Sequence, residues 1–190
     1  MATAFTHAFV AASLGKAAYP QKMPWKFWAL AVFCSVAPDL DVGLHYYGVQ
    51  YGDPWGHRGM THSLFFAAIM SLVLVTVILY KQAKPLSHKW LGYVVFFFLL
   101  TASHGFLDAF TDGGLGVAFF APFDNERYFM PWRPIEVSPL GVRDIFTNYF
   151  AKVLLSELLF ICLPTVVFSG LVYCLRKIFS PKQSVQAKST

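Results

Sequence analysis

The sequence predicts an all-α membrane protein, a polytopic bundle of about five transmembrane helices, from its composition and from the placement of its apolar segments. Of the 190 residues, 56% are hydrophobic and only 13% are charged, whereas soluble domains carry about 25% charged residues. This composition excludes intrinsic disorder, which requires low hydrophobicity. In such a chain the net charge of +5 does not indicate nucleic-acid binding, and no nucleic-acid partner is expected.

Five apolar segments are the predicted membrane helices. In chain order they are Ala2–Tyr19, Trp25–Ala37, Ser63–Tyr80, Trp90–Phe110 and Val153–Leu175. The third and the fifth are nearly free of charge and approach the roughly 20 residues that cross the hydrocarbon core. The second segment has thirteen residues before Pro38, which cover only about 20 Å as a helix. We therefore expect its end to lie beneath the membrane surface, among protein or water partners.

The lysines predict the orientation of this bundle. Nine of the ten lysines fall in the first connection, the third connection and the C-terminal tail, which all lie on one side of a five-helix bundle. Short lysine-rich loops stay in the cytoplasm, so the N-terminus is predicted outside and the C-terminus inside. Residues 1–179 then form one membrane-embedded domain with a structured outer loop at 111–148, and residues 180–190 form a flexible cytoplasmic tail.

Seven histidines and aspartates fall at the predicted outer ends of the helices, although the topology was derived from lysines and hydropathy alone. They are His7, Asp39, Asp41, His57, His62, His104 and Asp108. Ionisable groups in or near membrane spans cost at least a few kcal/mol each, so they commonly mark functional sites. We expect these seven side chains to meet in one recess between helix ends.

The local spacings favour metal binding over isolated packing roles. His104 and Asp108 are four residues apart, on one helix face, and Asp39 and Asp41 would share a side of an extended segment after Pro38. Four imidazoles and three carboxylates exceed the needs of one tetrahedral ion and suit two divalent ions. Zinc fits this ligand mixture, with manganese as the alternative. A carboxylate that is not a ligand, Asp39 or Asp41, would serve as a general base.

Three arginines are candidate phosphate-binding residues, because a guanidinium pairs with phosphate in a bidentate manner. Arg58 stands beside His57 in a glycine-flanked turn, while His62 begins the next helix. Arg127 and Arg133 lie in the long loop, among prolines and aromatic residues. For that loop the alternative is an interfacial anchor whose arginines bind lipid phosphates.

The motifs APDLD, HRGMTHS, HGFLDAFTDGG and APFDNERYFMPWRPIEVSPL resemble those of the YdjM-like, LexA-regulated family of membrane-bound metal-dependent hydrolases of bacterial inner membranes. That family is distantly similar, in its His/Asp pattern, to zinc-dependent phospholipase C and the P1-type nucleases. The resemblance covers nearly the whole chain. It implies an inner-membrane hydrolase whose metal ligands are the seven histidines and aspartates named above.

Together these observations predict a phospholipase C-like or lipid phosphatase-like enzyme. Its substrate would be a phosphoester in a membrane lipid or a lipid-linked headgroup, cleaved by metal-activated water on the periplasmic side. Two alternatives stay open, because intramembrane His and Asp residues also occur in ion transporters. They are a metal-ion transporter and a non-catalytic metal-binding membrane protein.

Overall fold

The computed structural model describes residues 1–139 and 147–179, and within these ranges the fold is helical, with two isolated β-bridges and no strand. The α-helices are α1 (Ala4–Ala18), α2 (Trp25–Val36), α3 (Leu64–Ile78), α4 (His88–Asp108), α5 (Asn148–Glu157) and α6 (Leu163–Phe179). A 3₁₀ helix, Ala37–Tyr47, continues α2 directly. A π-helical turn, Leu158–Cys162, joins α5 to α6. The predicted tail lies outside the described residues, and its boundary stays a prediction.

Helices α2, α3 and α4 enclose the main apolar core, in which Phe27, Val75 and Phe97 are fully buried. Helix α1 packs against α2 and α6. Burying each such side chain contributes about 1.5–3 kcal/mol in water, and in a bilayer the same close packing replaces contacts with lipid. By contrast, α6 buries none of its side chains within the described part of the protein. Its apolar surface is therefore available to lipid.

Three helical segments among the described residues are long and apolar enough to cross a membrane: Trp25–Tyr47, His88–Asp108 and Asn148–Phe179. Helix α3 is apolar but has only 15 residues, and α1 also has 15. At 1.5 Å per residue each covers about 22 Å. A helical membrane protein is thus confirmed, whereas five complete crossings and the orientation stay predictions.

One local prediction is wrong. Asp39 and Asp41 were expected in an extended segment, but they lie in the 3₁₀ helix that follows α2. Pro38 occupies the first turn of this helix, where its missing N–H costs nothing and its fixed φ suits helical backbone. The two carboxylates therefore do not share a side.

The described part of the predicted outer loop, residues 111–139, packs over the helix ends that carry the His and Asp residues. Its two β-bridges pair Thr111 with Ile135 and Val117 with Tyr128. The amide of Ala118 donates to the carbonyl of Arg58 at 3.0 Å. These contacts make the loop a structured cover for the region described next, although residues 140–146 of the predicted loop lie outside the described residues.

Candidate metal centre

Helix α4 supplies two of the candidate ligands. His104 and Asp108 are both fully buried near its C-terminal end, one turn apart as the spacing predicted. The Nδ1–H of His104 donates to the backbone carbonyl of Ser35 at 2.7 Å. Because that hydrogen bond fixes the proton on Nδ1, the lone pair of His104 lies on Nε2.

The 3₁₀ helix carries Asp39 to the same place. Asp39 Oδ1 lies 3.2 Å from His104 Nε2 and 3.6 Å from His62 Nε2. Neither oxygen of Asp39 has a hydrogen-bond partner. A buried carboxylate that accepts no hydrogen bond is costly. The two oxygens of Asp39 therefore favour a bound cation that balances their charge.

A tight turn places the two histidines of HRGMTHS. A side chain at Gly56 would come within 2.1 Å of the carbonyl oxygen of Gln50, and one at Gly59 within 2.3 Å of that of Pro54. Only glycine therefore fits either position. The turn leads into α3, where the hydroxyl of Ser63 accepts a hydrogen bond from the amide of Phe66. The prediction of His57 on a turn is confirmed, and His62, predicted to begin the helix, lies two residues before it in the short 3₁₀ turn Met60–His62.

Asp41 contacts both histidines of this turn. His57 Nδ1 donates to Asp41 Oδ1 at 2.7 Å, and His62 Nδ1 lies 3.2 Å from Asp41 Oδ2. The hydroxyl of Thr61 donates to Asp41 Oδ2 and lies 3.0 Å from His62 Nδ1. The backbone amide of Arg58 also donates to Asp41 Oδ2, at 3.3 Å. Asp41 is thus surrounded by donors.

His7 reaches the cluster from α1. Its ring stacks on that of His104 with centroids 3.8 Å apart, and its Nε2 lies 3.6 Å from Asp108 Oδ1. The structure therefore brings all seven predicted residues into one buried region. Six of them are buried, and the side chain of Asp39 is 10% exposed.

Two groups within this region have the spacing of metal ligands. Within residues 1–139 and 147–179, each group offers ligand atoms that all lie within 4.8 Å of one another. The first group is Asp39, His62, His104 and Asp108, and the second is Asp41, His57 and His62. His7 belongs to neither group, so a ligand role for it stays a prediction.

Unpartnered polar atoms test whether these residues suit a metal ion. The described residues contain ten buried side-chain nitrogen and oxygen atoms without a hydrogen-bond partner, and eight of them belong to this region. Seven of the eight are atoms that coordinate metals, namely His7 Nε2, His57 Nε2, His62 Nε2, His104 Nε2, both oxygens of Asp39 and Asp108 Oδ2. Native proteins leave few such groups unpaired. The donor set therefore fits a divalent ion.

The protonation of His62 supports the same conclusion. Burial lowers the pKa of His62, but the neighbouring carboxylates of Asp39 and Asp41 outweigh it and raise this pKa to about 9. Without a metal, the imidazole of His62 is therefore protonated at neutral pH, and its positive charge balances the neighbouring carboxylates. A divalent ion would replace that proton.

Arg58 lies inside the cluster rather than at its surface. Its guanidinium is fully buried, with Nε 3.1 Å from Asp108 Oδ2. Its terminal nitrogens donate to the carbonyl of Gly113 and to the hydroxyl of Thr111, each at 2.9 Å. These contacts favour a role for Arg58 in balancing the charge of Asp108. The binding of a substrate phosphate by Arg58 stays a prediction.

The two other arginines lie farther out. Arg127 donates to the backbone carbonyls of His57, Tyr51 and Asp53 at 2.9–3.1 Å, so it fastens the loop to the turn that carries His57. Burial lowers the pKa of Arg127. Arg133 is exposed, and its guanidinium stacks over Phe129 at 4.6 Å.

Sequence reasoning missed the groups that orient the ligands. The Ser35 carbonyl has no sequence signature, because any residue supplies a backbone carbonyl. Thr61 was visible beside His62 in the motif, and its hydroxyl could have been considered as a partner for a ligand. Glu157, at the end of α5, lies outside the cluster: it accepts hydrogen bonds from the amide and hydroxyl of Thr3 and from the hydroxyl of Thr6, and so holds α5 against the start of α1.

The fold and the site define a helical membrane protein with a buried His/Asp cluster that could hold a metal ion. A family model described as "YdjM inner membrane protein" matches residues 1–179, and the chain belongs to that family. It is also similar to "Inner membrane protein YbcI" of Escherichia coli (strain K12), with 34% identity over 177 residues, 93% of this chain and all of the relative. Together with the apolar helices, this relationship supports a bacterial inner-membrane location. No solved structure matches the chain.

Proposed function

We propose that the protein is a membrane-embedded, metal-dependent hydrolase that cleaves a phosphoester in a membrane lipid or a lipid-linked headgroup. The observation that carries the proposal is the convergence of unpartnered, buried metal-coordinating atoms in one cluster at the helix ends. Buried carboxylates and imidazoles without partners destabilise a fold. A bound ion would pair these atoms and offset that cost.

The residues best placed to hold an ion are Asp39, His62, His104 and Asp108. A divalent ion there would supply a nucleophilic water at neutral pH and would neutralise charge that develops on phosphate. Zinc suits imidazole and carboxylate ligands, and manganese is the alternative. The sequence predicts two such ions, because four imidazoles and three carboxylates exceed the needs of one.

An adjoining cavity supports a lipid or lipid-linked substrate. It has a volume of about 380 Å³ and a largely apolar lining that includes Val42, Tyr46 and Tyr51 beside Asp41 and His57. Its volume falls in the usual range for ligand pockets. A substrate with apolar and phosphate parts can place its apolar part here and its phosphate near the cluster. Of the three arginines, Arg133 is the exposed one and is the best placed to contact a headgroup.

The orientation is part of the proposal. The lysine distribution supports a location of the cluster at the outer, periplasmic interface. Labelling of single cysteines in a cysteine-free background tests it: a cysteine at Gln50 should react with an impermeant reagent in intact spheroplasts, and one at Gln183 only after permeabilisation. The reverse pattern, or equal reactivity, would refute this topology.

The reaction is tested with purified protein, divalent metal and total bacterial lipid extract, analysed by mass spectrometry. Wild type and His88→Ala, whose altered residue is exposed at the start of α4, should release the same product, and His62→Ala should release none. Diacylglycerol with a phosphorylated headgroup indicates a phospholipase C, and inorganic phosphate indicates a phosphatase. Intact lipids together with metal-isotope uptake into vesicles would instead favour a transporter.

A further inference from the structure

We propose that the two groups of candidate ligands have different roles: Asp39, His62, His104 and Asp108 hold a single divalent ion, while Asp41 and His57 form a metal-free pair whose imidazole contacts the substrate. The metal-binding half of this assignment rests on geometry and charge. The catalytic half rests on the hydrolase function proposed above.

His62 is the first reason for a single ion, because both groups need it through opposite edges of one ring. Its Nε2 lies 3.6 Å from Asp39 Oδ1 and 3.8 Å from Asp108 Oδ2, while its Nδ1 faces Asp41. A neutral imidazole has one nitrogen with a lone pair and one that carries hydrogen. His62 can therefore bind an ion in one group only, unless it loses both of its ring protons.

The surroundings of Nδ1 decide which group that is. The hydroxyl of Thr61 donates its hydrogen to Asp41, so at His62 Nδ1, 3.0 Å away, the same oxygen acts as an acceptor. Asp41 Oδ2 is a second acceptor at 3.2 Å. Both neighbours favour hydrogen on Nδ1, which leaves the lone pair of His62 on Nε2, facing Asp39 and Asp108.

The 3₁₀ helix gives an independent reason. With three residues per turn, each residue turns the helix by about 120°, so side chains two positions apart point in directions that differ by about 120°. Asp39 therefore faces His104 on α4, and Asp41 faces His57 on the turn. The two carboxylates cannot bridge a pair of ions from one side, as an extended segment would have allowed.

Charge balance points the same way. Counting the side chains of the cluster alone, three carboxylates and the Arg58 guanidinium give, with neutral imidazoles, a net charge of minus two. One divalent ion cancels this charge. A second divalent ion would leave a net charge of plus two in a buried site. Uncompensated buried charge is strongly unfavourable.

His57 is then free to contact the substrate. Its Nδ1–H donates to Asp41 Oδ1 at 2.7 Å, and its Nε2 is buried without a partner. The residue lines the cavity of about 380 Å³ together with Val42, Tyr46 and Tyr51. An imidazole held by a carboxylate at one nitrogen can hydrogen-bond a substrate oxygen with the other. His57 is accordingly a catalytic residue in this assignment, and Asp41 is a positioning residue.

The ion count is tested by titrating metal-free protein in detergent with Co²⁺ while recording the visible spectrum, and by elemental analysis after desalting. Wild type should bind one equivalent. His57→Gln should bind one equivalent with an unchanged spectrum, because His57 is not a ligand. Asp41→Asn should bind one equivalent about 10–100-fold more weakly, since it loses support for His62. Two equivalents in wild type, or an altered spectrum in His57→Gln, would overturn the assignment.

His104→Gln and Asp39→Asn should each lose the ion, and circular dichroism and gel filtration identify any variant that fails to fold. Retention of the wild-type spectrum and affinity in both folded variants would also overturn the assignment. Two ligand variants are used so that the misfolding of one leaves the other informative.

The catalytic half is tested on the metal-loaded proteins with the lipid extract. His57→Gln should lower kcat by about 10²-fold or more at full metal content, and Asp41→Asn should lower kcat with KM unchanged. An unchanged kcat in His57→Gln refutes the role of His57. A wild-type protein that cleaves no lipid refutes the proposed function together with this half, whereas the Co²⁺ titration decides the single-ion assignment separately.

Discussion

Replacing Arg58 with methionine tests whether this guanidinium stabilises the cluster. Arg58 is fully buried, and its Nε lies 3.1 Å from Asp108 Oδ2, which is also fully buried. Removing one partner of a buried ion pair typically costs about 3–5 kcal/mol, because the other charge is left uncompensated. For a chain of this size each kcal/mol lowers Tm by roughly 2–4 °C. We therefore expect Arg58→Met to lower the Tm of the metal-free protein by about 6–20 °C.

The assay is thermal unfolding in detergent after chelation, since a bound ion would partly replace the missing charge. Arg133→Met is the matched control. Arg133 is exposed, so its loss should change stability by no more than about 0.5 kcal/mol. Arg58→Met/Asp108→Leu should regain part of the lost stability, because it removes both charges. If Arg58→Met is no less stable than Arg133→Met, Arg58 does not balance Asp108.

Three further predictions concern metal binding and helix packing. His104→Ala should lose metal in freshly purified protein by elemental analysis, while His88→Ala, on the same helix but exposed, should retain it; equal metal content would contradict the site. Because the pKa of His62 is raised to about 9 in the metal-free site, zinc must displace its proton below that pH, so the apparent affinity should rise by up to about tenfold per pH unit towards pH 9. Calorimetry in buffers of different ionisation enthalpy measures the released proton, and a pH-independent affinity would refute this exchange. Glu157→Gln should lower stability by about 1.5–3 kcal/mol, because hydrogen bonds from Thr3 and Thr6 lose their charged acceptor; Glu126→Gln, at an exposed position, is the control, and equal melting temperatures would argue against this helix pairing.

Four of the five predicted segments match helices to within two residues, whereas the fifth, predicted as Val153–Leu175, is the longer helical segment Asn148–Phe179. The predicted segment Trp25–Ala37 corresponds to α2, which ends at Val36, and Trp90–Phe110 corresponds to α4, His88–Asp108. Apolar runs bounded by Pro, Gly or charge leave few alternative boundaries. The number of full crossings was harder to predict, because the 15 residues of α1 or α3 fall short of the hydrocarbon thickness while remaining apolar.

The sequence predicted which residues form the cluster, but it did not predict the separate role of each residue. Helix ends on one side of a bundle meet, so topology alone brought His7, His104 and Asp108 together. The roles of Asp39 and Asp41 depend on whether residues 37–47 are extended or 3₁₀, and Pro38 is compatible with both. The hydrogen bond from His104 to the Ser35 carbonyl depends on tertiary packing, which local sequence patterns do not encode.

The contacts of Arg127 have a consequence for how the site opens. Its guanidinium holds the carbonyls of Tyr51, Asp53 and His57, and its own segment pairs with Val117 through Tyr128. These hydrogen bonds link the turn to the covering loop. Neither segment can move away from the cluster unless the hydrogen bonds of Arg127 break. In hydrogen–deuterium exchange we expect the amides of 51–59 and 117–128 to exchange as one cooperative unit. A substrate would then enter the cavity only when both segments open together.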